Sequence, residues 1–193
     1  MSSNSTITLD SLRHKKAAVE LLSEHFDLEI FPENEICDWF VIEPKQNYAV
    51  FGGEGAGGRF IQLESTGWVI YVSSEGSAGI ISHGLPDFLY LVAACPYWSD
   101  ILKFSGNGKL SEMRRVLPLL EESLIDDEPE IDGIRSTLKS SLNISSTADP
   151  VKTLHHAVSS TSSQITVKAM DGSSYDQLFN SFVIEDNPSW RNA

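Results

Sequence analysis

The apolar positions of this chain change their spacing twice. From residue 10 to 26, Leu12, Val19, Leu22 and Phe26 fall near one face of a helix that Asp10 is placed to cap. Residues 33–40 (ENEICDWF) predict a short second helix with Ile36, Trp39 and Phe40 inward. The pattern then shortens. NYAVF (47–51), RFIQLE (59–64), WVIYVS (68–73) and AGIIS (78–82) are brief runs rich in aromatic and β-branched residues, and they read as strands. Ser65, Thr66 and Gly67 separate the second run from the third as a hairpin turn. The short connections throughout predict antiparallel pairing.

Helical spacing returns after residue 84. LPDFLYLVAAC (85–95) carries Pro86 in its first turn and is apolar on most sides, which predicts a buried helix. Pro96 interrupts it, and YWSDILKF (97–104) continues as a second short helix. GNG (106–108) reads as a turn. Leu110, Met113, Leu117, Leu120 and Leu124 then form a helical stripe with a kink expected at Pro118. Ile131, Ile134, Leu138 and Leu142 mark a cleaner helix over 129–142. The composition shifts at 143–149 (NISSTAD), which reads as a linker. Beyond it the sequence predicts a helix over 149–158, a loop at 161–164, a strand over 164–170, a turn at Asp171-Gly172 and a closing helix over 175–184. The expected organisation is therefore one α+β domain over 1–142. A C-terminal helix–strand–helix extension over 143–193 is expected to pack on it.

Charge narrows the functional classes. The 193 residues hold 14 Lys+Arg against 27 Asp+Glu, a formal net charge of −13 at pH 7. Such a chain repels nucleic-acid backbones and anionic membranes, and it attracts a basic protein partner. With 41% hydrophobic residues it has enough apolar material to fold without staples. No apolar run is long enough to span a membrane, and MSSNSTITLDSLRHKK lacks the features of a secretory signal. Two cysteines, Cys37 and Cys95, do not make a disulfide framework, so the cytoplasm is the expected compartment.

Five of the 13 glycines lie in GGEGAGG (52–58), where Gly53, Gly55 and Gly58 match G-x-G-x-x-G. A dinucleotide loop must open a helix whose N-terminus holds the pyrophosphate. Here RFIQL follows as strand, and Glu54 would repel phosphate, so the expected role is a hairpin loop using positive φ. His155 and His156 are adjacent, point about 100° apart on a helix and cannot share one metal well. Ser82, His83 and Asp87 are close along the chain but carry no hydrolase motif. Cys95, after VAA, is expected to be a buried thiol. No catalytic group, metal site or cofactor is called for. The strongest charge feature is 121–132 (EESLIDDEPEID), with seven acids and no base.

Residues 51–104 carry a resemblance. Gly57 and Gly58 precede Phe60, Trp68–Tyr71 follow, then Ser74, Glu75 and Gly76, then Leu85, Phe88 and Leu89, and CPYWSDIL closes the segment. This resembles the SUKH superfamily, which groups bacterial immunity proteins with the fungal Smi and Knr cell-wall regulators. The resemblance implies a non-enzymatic α+β domain with a mostly antiparallel or mixed single sheet and helices mainly on one face. It also implies direct binding and occlusion of a cognate protein toxin, often a nuclease. A regulatory adaptor that binds a host protein is the alternative. The acids Glu121, Glu122, Asp126, Asp127, Glu128, Glu130 and Asp132, with Glu54 and Glu75 on the sheet loops, are the expected contacts for a basic toxin. Trp68, Tyr97 and Trp98 are the candidate aromatic anchors.

Overall fold

The computed structural model describes residues 7–146 and 148–190. Two short helices come first, α1 (Leu9–Arg13) and α2 (Lys16–His25). Strands follow: β1 (Glu29–Glu35), β2 (Phe40–Glu43), β3 (Tyr48–Gly53), β4 (Arg59–Leu63), β5 (Val69–Val72) and β6 (Ala78–Ser82). Helices α3 (Leu85–Ala94), α4 (Trp98–Lys103), α5 (Leu110–Asp127), α6 (Ile131–Leu142) and α7 (Pro150–Gln164) complete most of the fold. Strand β7 (Thr166–Ala169) and a 3-10 turn at Ile184–Asp186 end it. The class is α+β. Strands β1, β3, β4, β5 and β6 form a five-stranded sheet in that order, each neighbouring pair antiparallel. Strands β2 and β7 pair antiparallel in a second, two-stranded sheet.

Successive residues of a strand face opposite sides, and here both sides are buried. Phe51, Phe60, Val69 and Ile81 join the helices in one core, with Leu12, Leu22, Phe88, Ile101, Met113 and Leu138. Their neighbours Val50, Ile61, Ile70 and Ile80 join Phe40 and Ile42 of β2 and Val167 of β7 in a second core. The two-stranded ribbon therefore covers the sheet face that α1–α6 leave open. Helix α7 serves both cores: Val151, Leu154 and Val158 pack into the first and Ala157 into the second.

Four expectations require correction. The first helix is broken at His14 and Lys15, and Thr8, not Asp10, caps it through a reciprocal pair with Ser11. Lys15 leaves helical backbone (ψ 66°), and its ammonium reaches the Ser141 carbonyl at the end of α6. Residues 33–40 are not a helix. Their first part finishes β1, where Glu35 pairs with Val50, and Phe40 begins β2. Ile36 points outward at 94% exposure, because an eight-residue stretch is too short to nucleate a helix against the sheet pairing that takes both of its ends. The stretch at 161–164 continues α7, where Thr161 Oγ1 accepts the Ile80 N–H. Residues 175–184, expected as a helix, are irregular up to 183, and Ile184 only opens the closing 3-10 turn. Their backbone bonds outward instead: Asn180 N–H to the Leu102 carbonyl, with the Asn107 and Gly106 N–H groups donating to Asn180 and Phe182. Helix α5 runs through Pro118, which sits on its exposed side.

Candidate functional site

The glycine-rich reversal between β3 and β4 is organised by one carboxylate. Glu54 accepts the N–H groups of Ala56 (2.6 Å) and Gly58 (2.7 Å) and the Tyr71 hydroxyl (3.0 Å). The Gly55 N–H donates to Asp27 at 2.9 Å, and Gly57 adopts φ 96°, a left-handed conformation that suits glycine. A Cβ at Gly58 would lie 2.6 Å from both Glu54 and the Tyr71 ring. Burial, and then Glu54, raise the Tyr71 hydroxyl well above its ordinary pKa, so it stays a donor. Glu54 is therefore a structural acceptor inside the loop, not the free partner contact expected from sequence. Phosphate in this loop would face that same carboxylate. Replacing Glu54 with alanine is expected to lower stability by about 2 kcal/mol, since it strands donors that now meet a charged acceptor. Amide exchange should quicken at Ala56 and Gly58 and stay unchanged in α5.

The three aromatic candidates separate. Trp98 is 6% exposed and lies in the core, with its ring 6.1 Å from Phe60 and 5.1 Å from Tyr71. It cannot anchor a partner, because α4 begins at Trp98 and sets it directly against the sheet. Tyr97 is half-buried, and its hydroxyl donates to Glu121. Trp68 keeps partial exposure beside His83, with ring centroids 5.2 Å apart.

The acidic run also divides. Glu121 grips Arg135 in a bidentate pair (Nη2 to Oε2, 3.0 Å), and Asp132 adds a 3.3 Å contact. The guanidinium of Arg135 holds the Glu121 carboxyl below its ordinary pKa. Glu128 meets His25, which also lies 3.8 Å from Glu24. These contacts tie α5 to α6 and to α2. Glu122, Asp126, Asp127 and Glu130 are exposed, with no cation at ion-pair distance among the described residues. Glu122 and Asp126 stand four apart and so share a helix face. Glu75 is exposed in the β5–β6 turn, where its neighbour Ser74 donates to the Ala56 carbonyl of the glycine loop. Thus the structure assembles Glu54 with Tyr71, and Glu121 with Tyr97 and Arg135, while four acids at the α5–α6 corner have no cation at ion-pair distance among the described residues.

The remaining candidates are held by packing. His155 bonds the Gly108 carbonyl (2.9 Å), while the His156 ring lies 5.6 Å from that of His83, so the adjacent histidines serve different neighbours. No group of three or more His, Cys, Asp or Glu side chains suited to a metal occurs among the described residues. Cys95 is buried, and desolvation pushes its thiol up to about 12, far from a reactive thiolate. A cleft lined by Ile81, Ser82, Asp87, Tyr90, Leu91 and Leu154 holds about 70 Å³, below the few hundred Å³ of small-molecule sites, while larger grooves of about 500 Å³ beside Val19, Glu29 and Ile30 and about 420 Å³ beside Leu21, Pro129 and Ile134 are wide open to solvent. Sequence reasoning missed one surface: Ile36, Val41 and Met170 are exposed around β2 and β7. The in–out alternation of Phe40, Val41, Ile42 and Glu43 was the available signal, hidden because three of the four are apolar. No helix among the described residues is long and apolar enough to cross a membrane. Compared with known protein families, curated proteins and solved structures, this chain matches none.

Proposed function

We propose that this chain is a non-enzymatic immunity protein of the cytoplasm that binds a basic protein toxin, of the nuclease kind, and occludes it. The observation that supports this most is the α5–α6 corner, where Glu122, Asp126, Asp127 and Glu130 are exposed with no cation at ion-pair distance among the described residues. The fold uses Glu121, Glu128 and Asp132 for its own cohesion and leaves these four charges to project a negative field. Such a field steers a cationic surface toward it and resembles the phosphates that a nuclease cleft is built to hold. The resemblance of residues 51–104 to the SUKH superfamily points the same way.

Calorimetry against the toxin domain encoded beside this gene tests the reading. Tight binding that weakens between low and high salt is the expected result. Neutralising the corner (Glu122→Gln, Asp126→Asn, Asp127→Asn and Glu130→Gln together) should slow association about tenfold or more and flatten the salt dependence. The same substitutions should leave the Tm within a few degrees, because none of the four carboxylates has an ion-pair partner among the described residues. Absence of binding, or of a toxin gene to test, would favour the regulatory adaptor.

A further inference from the structure

A sheet exposes unpaired backbone groups wherever it has an uncovered edge, and this fold covers two of its four and interrupts a third. At β6, the Ala78 N–H donates to the Asp176 carbonyl (2.9 Å) and the Ile80 N–H to Thr161 Oγ1 (2.8 Å). At β1, Pro32 has no N–H, and Arg13 Nε donates to the Phe31 carbonyl (2.9 Å). On the far side of β7, the Tyr175 N–H donates to Val167 and the Ala169 N–H to Ser173. Strand β2 differs. Beyond its ladder with β7, no hydrogen bond reaches the backbone of Phe40–Glu43 among the described residues. In an antiparallel pair, two of these four residues turn their N–H and C=O outward, which offers up to about four bonds to an added strand.

The side chains around that edge define its occupant. Phe40 and Ile42 are buried beneath the ribbon, at 1% and 4% exposure, while Val41 faces out opposite Lys168. Met170 follows Ala169, the register partner of Phe40, and Ile36 stands just before the strand; both are strongly exposed. Segments 33–45 and 166–176 carry six acids (Glu33, Glu35, Asp38, Glu43, Asp171, Asp176) against Lys45 and Lys168. Lys168 is already held by Glu43 at 2.6 Å and Arg59 by Glu35 at 2.6 Å, which leaves Glu33, Asp38, Asp171 and Asp176 without a cation at ion-pair distance among the described residues. A second copy of this chain paired edge to edge would set these acids against their own kind, which opposes self-association.

We propose that the open edge of β2 receives an extended, cationic segment of a protein partner by strand addition. Apolar side chains of the segment would cover Val41, Ile36 and Met170, and its lysines or arginines would meet the surrounding acids. This rests on the reading of a basic protein partner and assigns a second contact to it, apart from the α5–α6 corner. The shortness of β2 suits the role, since four residues accept a short segment but template poor fibrillar pairing.

The test is an NMR titration of the ¹⁵N-labelled full chain with a capped octapeptide of alternating Lys and Val. Amide shifts confined to residues 36–43 and 166–170, with a dissociation constant in or below the millimolar range, are expected. Val41→Lys should weaken binding at least tenfold, and Met170→Lys, on an exposed side chain, serves if the first variant folds poorly. An alternating Glu and Val peptide should not bind. Shifts centred on Glu122–Glu130, shifts scattered over the surface, or none at millimolar peptide would overturn the proposal. So would concentration-dependent shifts at β2 without peptide, which would assign the edge to a second copy. Toxin calorimetry is read independently: toxin binding without β2 shifts sinks only this inference, and β2 shifts without toxin binding sink only the immunity reading.

Discussion

Replacing Arg135 with alanine is expected to lower stability by about 3 kcal/mol, a drop in Tm of roughly 9 °C for a domain of this size. Arg135 is 8% exposed and lies between α5 and α6, where it spans Glu121 and touches Asp132. Removing it leaves the Glu121 carboxylate half-buried beside the Tyr97 hydroxyl with no cation. The cost is the unpaired charge more than the lost attraction, so a control separates the two. Arg135→Met combined with Glu121→Met should recover most of the loss, because an apolar pair of similar volume needs no compensation. The Nε of Arg135 is buried without an acceptor, a small existing penalty that the double variant also removes. Thermal denaturation of the three proteins checks the ordering. A double variant as unstable as Arg135→Ala would show that packing, not charge, holds this corner.

The same pair sets a pH dependence. Chiefly through its bond to Arg135, the Glu121 carboxyl titrates below its ordinary value of 4.5 in the folded protein. A depressed carboxylate stabilises the fold fully above the unfolded value, and that contribution is lost as the pH falls through the folded one. The stability gap between the native protein and Arg135→Ala should therefore narrow on acidification below about 4.5 and stay constant above it. Urea denaturation across this range reads the gap directly.

Phe60→Ala is expected to cost about 4 kcal/mol. Phe60 is 1% exposed, and its ring sits 5.1 Å from Phe88, 5.3 Å from Tyr71, 6.1 Å from Trp98 and 6.4 Å from Phe51. Truncation opens a cavity where sheet and helices meet, and four rings cannot all collapse into it. Phe60→Leu keeps most of the volume and should cost about 1.5 kcal/mol. The effect should also travel outward. Tyr71 packs on Phe60 and holds Glu54, so Phe60→Ala should quicken amide exchange at Gly58 while α7 remains protected. Equal quickening in both places would mean global loosening and would remove the Phe60–Tyr71–Glu54 link.

Several features were legible because their cause is local. The strands over 48–53, 59–63, 69–72 and 78–82 follow from β-branched and aromatic runs separated by turn residues, and Gly67 and Gly76 take the positive φ such turns use. Helices α3 and α6 follow from apolar spacing, and the burial of Cys95 from its apolar neighbours. Charge composition gave the expectation of a basic partner, and α5–α6 was readable as acidic. What a linear reading could not supply was which acids are free, since that depends on a cation fourteen residues away in another helix. Glu121 and Glu122 are adjacent in sequence, yet one turns toward Arg135 and the other toward solvent.

By itself, the sequence determined the class of fold, the four-strand meander with its turns, the main helices and the excess of negative charge. Each is set by residue type and short-range spacing. The tertiary structure decided the rest through partners distant in sequence. It made residues 33–35 strand because Glu35 pairs across to Val50, and it placed β2 beside β7 more than a hundred residues later. It turned Glu54 and Trp98 inward, kept residues 175–183 irregular by bonding their backbone to α4 and the turn after it, and left the outer edge of β2 without a backbone partner among the described residues. Backbone groups and charges must find partners wherever the chain brings them. Which partner each one meets is a property of the assembled fold, not of its neighbours along the chain.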